Sequence, residues 1–126
     1  GLMGEKAVEK SFLYLLPEKH MAEELAQVLT DTGFDKKKVE IWKEINLLEL
    51  TLENGSVYVE DFEESLRKED EDTLSGLGMQ QVYSVTYPAE EAKSVREIMQ
   101  KWMASFGGKS GSDTEDFAPF LTIEEL

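Results

Sequence analysis

The sequence contains no cysteine, a single histidine and few basic residues. Its 126 residues include 13 lysines and arginines against 27 aspartates and glutamates, which gives a net charge of −14. Without cysteine there is no disulfide, no thiolate nucleophile and no iron–sulfur or cysteine-bound zinc centre. The composition fits a reducing compartment, so we expect one soluble cytoplasmic domain of ordinary size without a cofactor.

The chain also lacks a long apolar run. The longest clean apolar stretch is Phe12–Leu16, whereas a membrane-spanning helix needs about 20 such residues. The net charge repels nucleic-acid phosphates and anionic lipid headgroups, so we expect neither a nucleic acid nor a membrane as partner. Residues 1–5 are interpreted as a tag remnant and flexible start, with Met3 as the natural first residue.

Two segments of the chain share one order of signals. Each has a strand pattern, then a proline, then a helical pattern that ends at a glycine, over residues 12–33 and 82–107. Proline suits a first helical position because its missing N–H would lack a partner there anyway. In the first unit, Leu29 and Phe34 are spaced as the apolar pair of a Schellman stop, with Gly33 as the left-handed residue.

The middle of the chain predicts antiparallel strands. Leucines alternate with polar residues before Asn54-Gly55, and valines alternate after it. Asn-Gly favours a two-residue type I′ turn, which pairs Leu52 with Val57 and Leu50 with Val59. An earlier extended stretch begins at residue 39. Its alternation of apolar and polar residues changes phase at 45–48, which indicates a bulge or a break into two strands.

Three further segments have weaker patterns. We expect a mobile acidic loop over 63–79, with room for a short helical turn, and an acidic Gly/Ser loop over 107–116. The last apolar residues, beginning at Phe117, predict either a final strand or a docked extended tail. The fold class predicted from this order is α+β. It is a ferredoxin-like two-layer sandwich in the order β-α-β-β-β-α-β, with two helices on one face of a mostly antiparallel sheet of four to five strands.

Signatures of enzymes and metal sites are absent from the sequence. His20 has no partner that spacing can identify as part of a catalytic set, and Gly108-Lys109-Ser110 follows a helix instead of opening one, as a phosphate-binding loop must. The acidic runs at 70–72 and 113–116 do not match a calcium-binding loop. We therefore predict no catalytic residue and no metal site, and an enzyme is the less favoured class.

Negative charge and aromatic residues coincide in the second part of the chain. Residues 44–126 carry a net charge of −13, with the densest acidic run at 60–72. Acidic groups around aromatic anchors suit the capture of a basic protein, because charge steers the encounter and buried aromatics hold it. The residues predicted to bind this partner are Tyr58, Glu60, Phe62, Glu63, Glu64, Asp70 and Asp72.

The resulting hypothesis is a non-enzymatic interaction module, for example an inhibitor or immunity-type protein that neutralises a basic toxin or nuclease. Three alternatives stay open. The acidic surface can be merely solubilising, with its aromatics in the core. A small-molecule or enzymatic pocket can lie near His20 and Tyr14. The chain can also be a homodimer instead of a monomer, in which the two copies pair their sheet edges or cover Trp42 and Tyr58.

Overall fold

A computed structural model describes residues 8–126, and the predicted N-terminal remnant at 1–5 lies outside them. The described part is an α+β structure with three helices and a six-stranded antiparallel sheet. The strands are β1 (Glu9–Leu16), β2 (Val39–Trp42), β3 (Leu47–Leu52), β4 (Gly55–Asp61), β5 (Gln81–Pro88) and β6 (Lys109–Gly111). The helices are α1 (Ala22–Asp31), α2 (Lys68–Gly76) and α3 (Ala92–Phe106).

The strand order in the sheet is β2-β3-β4-β5-β1-β6. The longest strands, β1 and β5, pair along their full length, whereas β2 and β6 form the two edges. The prediction of four to five strands was too low. Part of the segment 107–116, predicted to be a loop, forms β6, because Ser110 and Gly111 are buried against β1.

One face of the sheet, called here the helix face, is covered by α1 and α3. Alternate residues of the strands point into this layer, including Tyr14 on β1, Leu50 on β3 and Val59 on β4. Trp102 of α3 is fully buried, with its ring 6.1 Å from that of Tyr14 and its Nε1 donating to the Leu25 carbonyl at 2.9 Å. This is the main core of the protein.

The opposite face, called here the outer face, is covered only in part. Leu74 of α2 and Phe117 of the C-terminal segment pack on Leu13, Leu15 and Val82. The two-layer prediction is therefore corrected, since α2 adds a partial third layer. The loop predicted over 63–79 is corrected with it, because this segment contains a 3-10 turn at Glu63–Ser65 and then α2.

Helix α2 forms despite its weak apolar pattern. Acidic side chains fill its first turn, where the helix dipole favours negative charge. The Asp70 carboxylate accepts a hydrogen bond from the Arg67 N–H at 2.9 Å, which satisfies one of the free donors at this end. Leu74 supplies the single buried anchor, at 3 % exposure.

The ends of the first helix match the prediction at one end only. The Schellman stop is confirmed, since Gly33 has φ +102° and the Phe34 N–H donates to the Leu29 carbonyl at 2.9 Å. The start is different, because α1 begins at Ala22 instead of at Pro17. The Ala22 N–H donates to Asn46 Oδ1 at 2.8 Å, so a tertiary contact sets the first residue.

The register of the β3–β4 hairpin differs from the predicted one by two residues. Leu52 pairs with Gly55 and Leu50 with Val57, so the turn residues are Glu53 and Asn54. The same side chains stay on the helix face, but no type I′ Asn-Gly turn forms. The nearly buried Glu91 carboxylate holds this turn by accepting from the Asn54 N–H at 2.7 Å and from Asn54 Nδ2 at 3.1 Å.

The C-terminal segment docks on the body, as one of the two sequence alternatives predicted. Leu121 forms an isolated bridge with Ser110, and Phe117 is buried on the outer face. Leu126 is buried in the main core, and its carbonyl accepts from an Arg96 guanidinium nitrogen at 3.0 Å.

Candidate functional site

A cleft of about 710 Å³ opens between the outer face of the sheet, α2 and the turn that joins β2 to β3. We call it the acidic cleft. Its six carboxylates outnumber its two lysines, which gives a net charge of −4, and the rest of its wall includes six apolar side chains. The carboxylates are Glu44, Glu60, Asp61, Glu63, Glu64 and Glu71, the lysines are Lys19 and Lys43, and the apolar residues are Met21, Ile45, Leu66, Leu74, Met79 and Val82.

A hydrogen-bonded network fixes one wall of the acidic cleft. Asp61 Oδ2 accepts from Asn46 Nδ2 at 2.8 Å and from Gln81 Nε2 at 3.1 Å, while Asp61 Oδ1 accepts from the Glu63 N–H at 2.8 Å. Three donors therefore hold this carboxylate in one orientation. A charged group fixed in this way needs no further ordering when a ligand arrives.

Asn46 is the centre of this network. Its Nδ2 also donates to the Tyr83 hydroxyl at 2.9 Å, and its Oδ1 accepts from the Ala22 N–H at 2.8 Å. The residue has φ 49°, the left-handed conformation that asparagine tolerates better than most residues. The network links the start of α1, the start of β3 and the end of β4 beside the acidic cleft.

Tyr83 closes the buried side of the network. Its hydroxyl donates to the His20 carbonyl. Gln81 lies two residues earlier on β5, and its Oε1 accepts from the His20 N–H at 2.7 Å. Burial raises the pKa of Tyr83 well above its ordinary value, because the phenolate would lose its hydration. The hydroxyl links two parts of the network, because it accepts from Asn46 and donates to His20.

The residues predicted from sequence to bind a partner do not all line the same cavity. Glu60, Glu63 and Glu64 line the acidic cleft, whereas Phe62 and Asp70 line a smaller depression of about 340 Å³ beside Arg67. The two remaining residues, Tyr58 and Asp72, line neither. Tyr58 is 42 % exposed on the outer face, on the same side of β4 as Glu60, and Asp72 is an exposed residue of α2.

The two residues of the predicted small-molecule pocket lie elsewhere. The His20 ring lies 4.2 Å from the Phe106 ring, and its Nδ1 is 3.0 Å from Glu24 Oε1. Tyr14 is fully buried on the helix face, and its hydroxyl donates to the Gly107 carbonyl at 2.7 Å. Neither side chain lines the acidic cleft, although Lys19 and Met21 on either side of His20 do.

Sequence reasoning missed Asn46, Gln81, Met21 and Ile45 as site residues. One signal for Asn46 was present, because the strand phase slips at 45–48 and asparagine is enriched in the left-handed conformation that such a break needs. Met21 falls within the first strand–proline–helix unit, and Ile45 falls within the extended stretch that begins at residue 39, so neither pattern indicated a site. The two residues are 48 % and 54 % exposed, and both border the acidic cleft.

Within residues 8–126, no group of three or more histidine or acidic side chains is arranged to hold a metal ion, and no helix has the length and apolarity to cross a membrane. No protein-family model, curated protein or solved structure matches this chain.

Proposed function

We propose that this chain is a non-enzymatic interaction module that binds a basic protein partner in the acidic cleft. The observation that carries the proposal is the composition of this cleft, in which six carboxylates and two lysines surround apolar walls. A long cationic side chain fits such a site, because its aliphatic stem can contact the apolar wall while its charged end stays near the carboxylates.

Charge and apolar area contribute to different steps of such binding. Carboxylates at a rim steer a positively charged partner and raise the association rate, whereas desolvated apolar contacts lower the dissociation rate. Met21 and Ile45 provide the apolar contact, and Tyr58 extends the surface along β4. A concrete form of this module is an immunity-type inhibitor that occupies the anion-binding site of a basic toxin or nuclease.

The first experiment is capture of partners from a native lysate with the tagged chain, followed by binding measurements with each purified candidate. The partner should be basic, and its affinity should fall between about 50 mM and about 500 mM salt, since ions screen the steering charges. The E60Q/E63Q/E64Q/E71Q variant should lose about tenfold or more in affinity, mainly through the association rate.

A matched control separates the acidic cleft from the total charge. The E53Q/E90Q/E97Q/E124Q variant removes four exposed carboxylates that lie outside the acidic cleft. It should bind nearly as well as the unmodified chain. Equal losses in the two variants would contradict a cleft-specific interaction and leave only a general effect of charge.

A second candidate function is the binding of a small cationic molecule in the same cleft, on a ferredoxin-like domain. A volume of about 710 Å³ favours it, since ligand pockets commonly enclose about 300–1,000 Å³. A thermal-shift screen of amines tests this candidate. A ligand present at 100 times its Kd adds about 2.7 kcal/mol of stability, and the cleft variant above should abolish the shift.

A further inference from the structure

The free edge of the sheet at β2 differs from the rest of the molecule in charge. Residues 36–43 contain four lysines and one glutamate, a net charge of +3, in a chain whose total is −14. With the flanking Asp35 and Glu44 included, the segment is still positive, at +1. Asp35 Oδ1 is also engaged, since it accepts from the Lys37 N–H at 2.9 Å.

The lysines stand at both ends of β2 and are exposed. Lys36, Lys37 and Lys38 form a 3-10 turn just before the strand, and Lys43 follows its last residue. Within residues 8–126, only His20 and Arg67 lie within ion-pair distance of a carboxylate, so these lysines have no acidic partner in that part of the chain.

The strand register shows which backbone groups of β2 are free. Leu52 and Gly55 form the closing hydrogen-bonded pair of the β3–β4 turn. Because hydrogen bonding alternates along a strand, every second residue of β3 from Leu52 bonds to β4, and the residues between them bond to β2. Glu40 and Trp42 therefore bond to β3, opposite Glu49 and Leu47. The N–H and C=O of Ile41 point away from the sheet, as does the C=O of Val39.

We propose that the free edge of β2 binds an extended acidic segment of a partner protein, which adds to the sheet as a seventh strand. Unpaired backbone groups of an edge strand are a template for such addition, and alternate side chains then give specificity. β2 has four residues, with lysines at both of its ends. A paired strand advances by the same distance per residue, so the acidic residues of the segment would flank a core of about four residues.

Charge decides between this occupant and a second copy of the chain. Two copies joined edge to edge at β2 would bring two segments of net charge +3 together, which is unfavourable. An acidic segment instead gains attraction at both ends of the strand. Trp42, which is 44 % exposed on the outer face, offers the incoming strand an apolar contact.

The test uses the full chain and three labelled eight-residue peptides, with binding followed by fluorescence anisotropy at about 50 mM salt. The probe is Glu-Glu-Thr-Val-Thr-Val-Glu-Glu. One control replaces the four glutamates with glutamine. The other replaces the central Val-Thr pair with two prolines, which keeps the charge but removes an N–H that faces β2 in either register of the peptide. The probe should bind about tenfold more tightly than either control.

Two variants and one backbone measurement locate the binding. The K36E/K37E/K38E variant should weaken binding of the probe about tenfold or more, whereas K10E/K68E/K93E makes the same charge change at exposed sites elsewhere and should weaken it much less. Amide exchange followed by NMR should show protection of the Ile41 N–H only when the probe is present.

Three outcomes would overturn the proposal. The proline peptide could bind as tightly as the probe, which would leave charge attraction without strand addition. The two triple-lysine variants could weaken binding equally, which would place the peptide elsewhere. Sedimentation could reveal a dimer in which the Ile41 N–H is already protected without peptide, which would assign the edge to a second copy.

Discussion

The two faces of the sheet contain the two tryptophans of the chain in contrasting settings. Trp102 is fully buried on the helix face, where it stacks on Tyr14 and donates to the Leu25 carbonyl. Trp42 is 44 % exposed on the outer face, at the edge strand. Buried apolar contacts are therefore concentrated on the helix face, whereas the outer face is covered only in part.

The largest expected effect comes from breaking the helix face. Replacing Trp102 with alanine should lower the free energy of unfolding by about 3–5 kcal/mol, because the change leaves a large cavity under α3. Replacing Trp42 with alanine should cost less than about 1 kcal/mol. Chemical denaturation of both variants measures the contrast, and equal losses would contradict the difference between the two faces.

A smaller effect should follow from loosening the cover of the outer face. Leu74 is the only buried residue of α2, so Leu74→Ala should cost about 2–3 kcal/mol, near the lower end of the range for buried leucines. Hydrogen exchange should then accelerate in α2 while α1 and α3 stay protected. Uniform acceleration in all three helices would mean that the two faces unfold as one unit.

The hydrogen-bonded network around Asn46 should contribute somewhat less to the free energy of unfolding than Leu74 does. Asn46→Ala removes three hydrogen bonds and leaves alanine in a left-handed conformation, and we expect a loss of about 2 kcal/mol. Asn46→Gly loses the same bonds without the steric cost, so it should be more stable than the alanine variant by about 1 kcal/mol. Thermal unfolding of both variants separates the two contributions.

The smallest effect concerns pH. Hydrogen bonds from His20 and from the Met21 N–H lower the pKa of Glu24 below its ordinary value of 4.5. Because the folded-state pKa is lower, this group stabilises the fold above pH 4.5 and loses that contribution as the pH falls through its folded pKa. Glu24→Gln should lower stability at pH 7 by less than about 1 kcal/mol, since the side chain is exposed.

The acid side of the stability profile provides the measurement. The difference between Glu24→Gln and the unmodified chain should shrink steadily below pH 4.5, when both carry a neutral side chain at this position. Unfolding midpoints in urea between pH 7 and pH 3 would show it. A difference that stays constant across this range would assign the effect to packing instead of ionisation.

Local patterns were sufficient for part of the fold. The stop of α1 at Gly33, with its Leu29 and Phe34 contact, follows from the left-handed preference of glycine and the spacing of two apolar residues. The apolar face of the hairpin was also correct, because a shift of two residues returns every side chain to the same face. These features depend on neighbours in sequence.

Other features were decided by residues distant in sequence. Asn54-Gly55 did not make the turn that its dipeptide favours, because Glu91 holds the Asn54 backbone and Gly55 lies close to Pro88. Asn46 similarly sets the first residue of α1 from 24 positions away. Of the predicted partner-binding residues, only Glu60, Glu63 and Glu64 line the cleft.

The sequence by itself determined the α+β class, the helical patterns of the two strand–proline–helix units and the apolar side of each strand. These features depend on periodicity and on local backbone preferences. Only the tertiary structure decided the register of the hairpin, the formation of α2 and the assembly of the acidic cleft. The physical reason is that each of these depends on contacts made after the chain has folded back on itself, such as Leu74 on the outer face and Asn46 with Asp61.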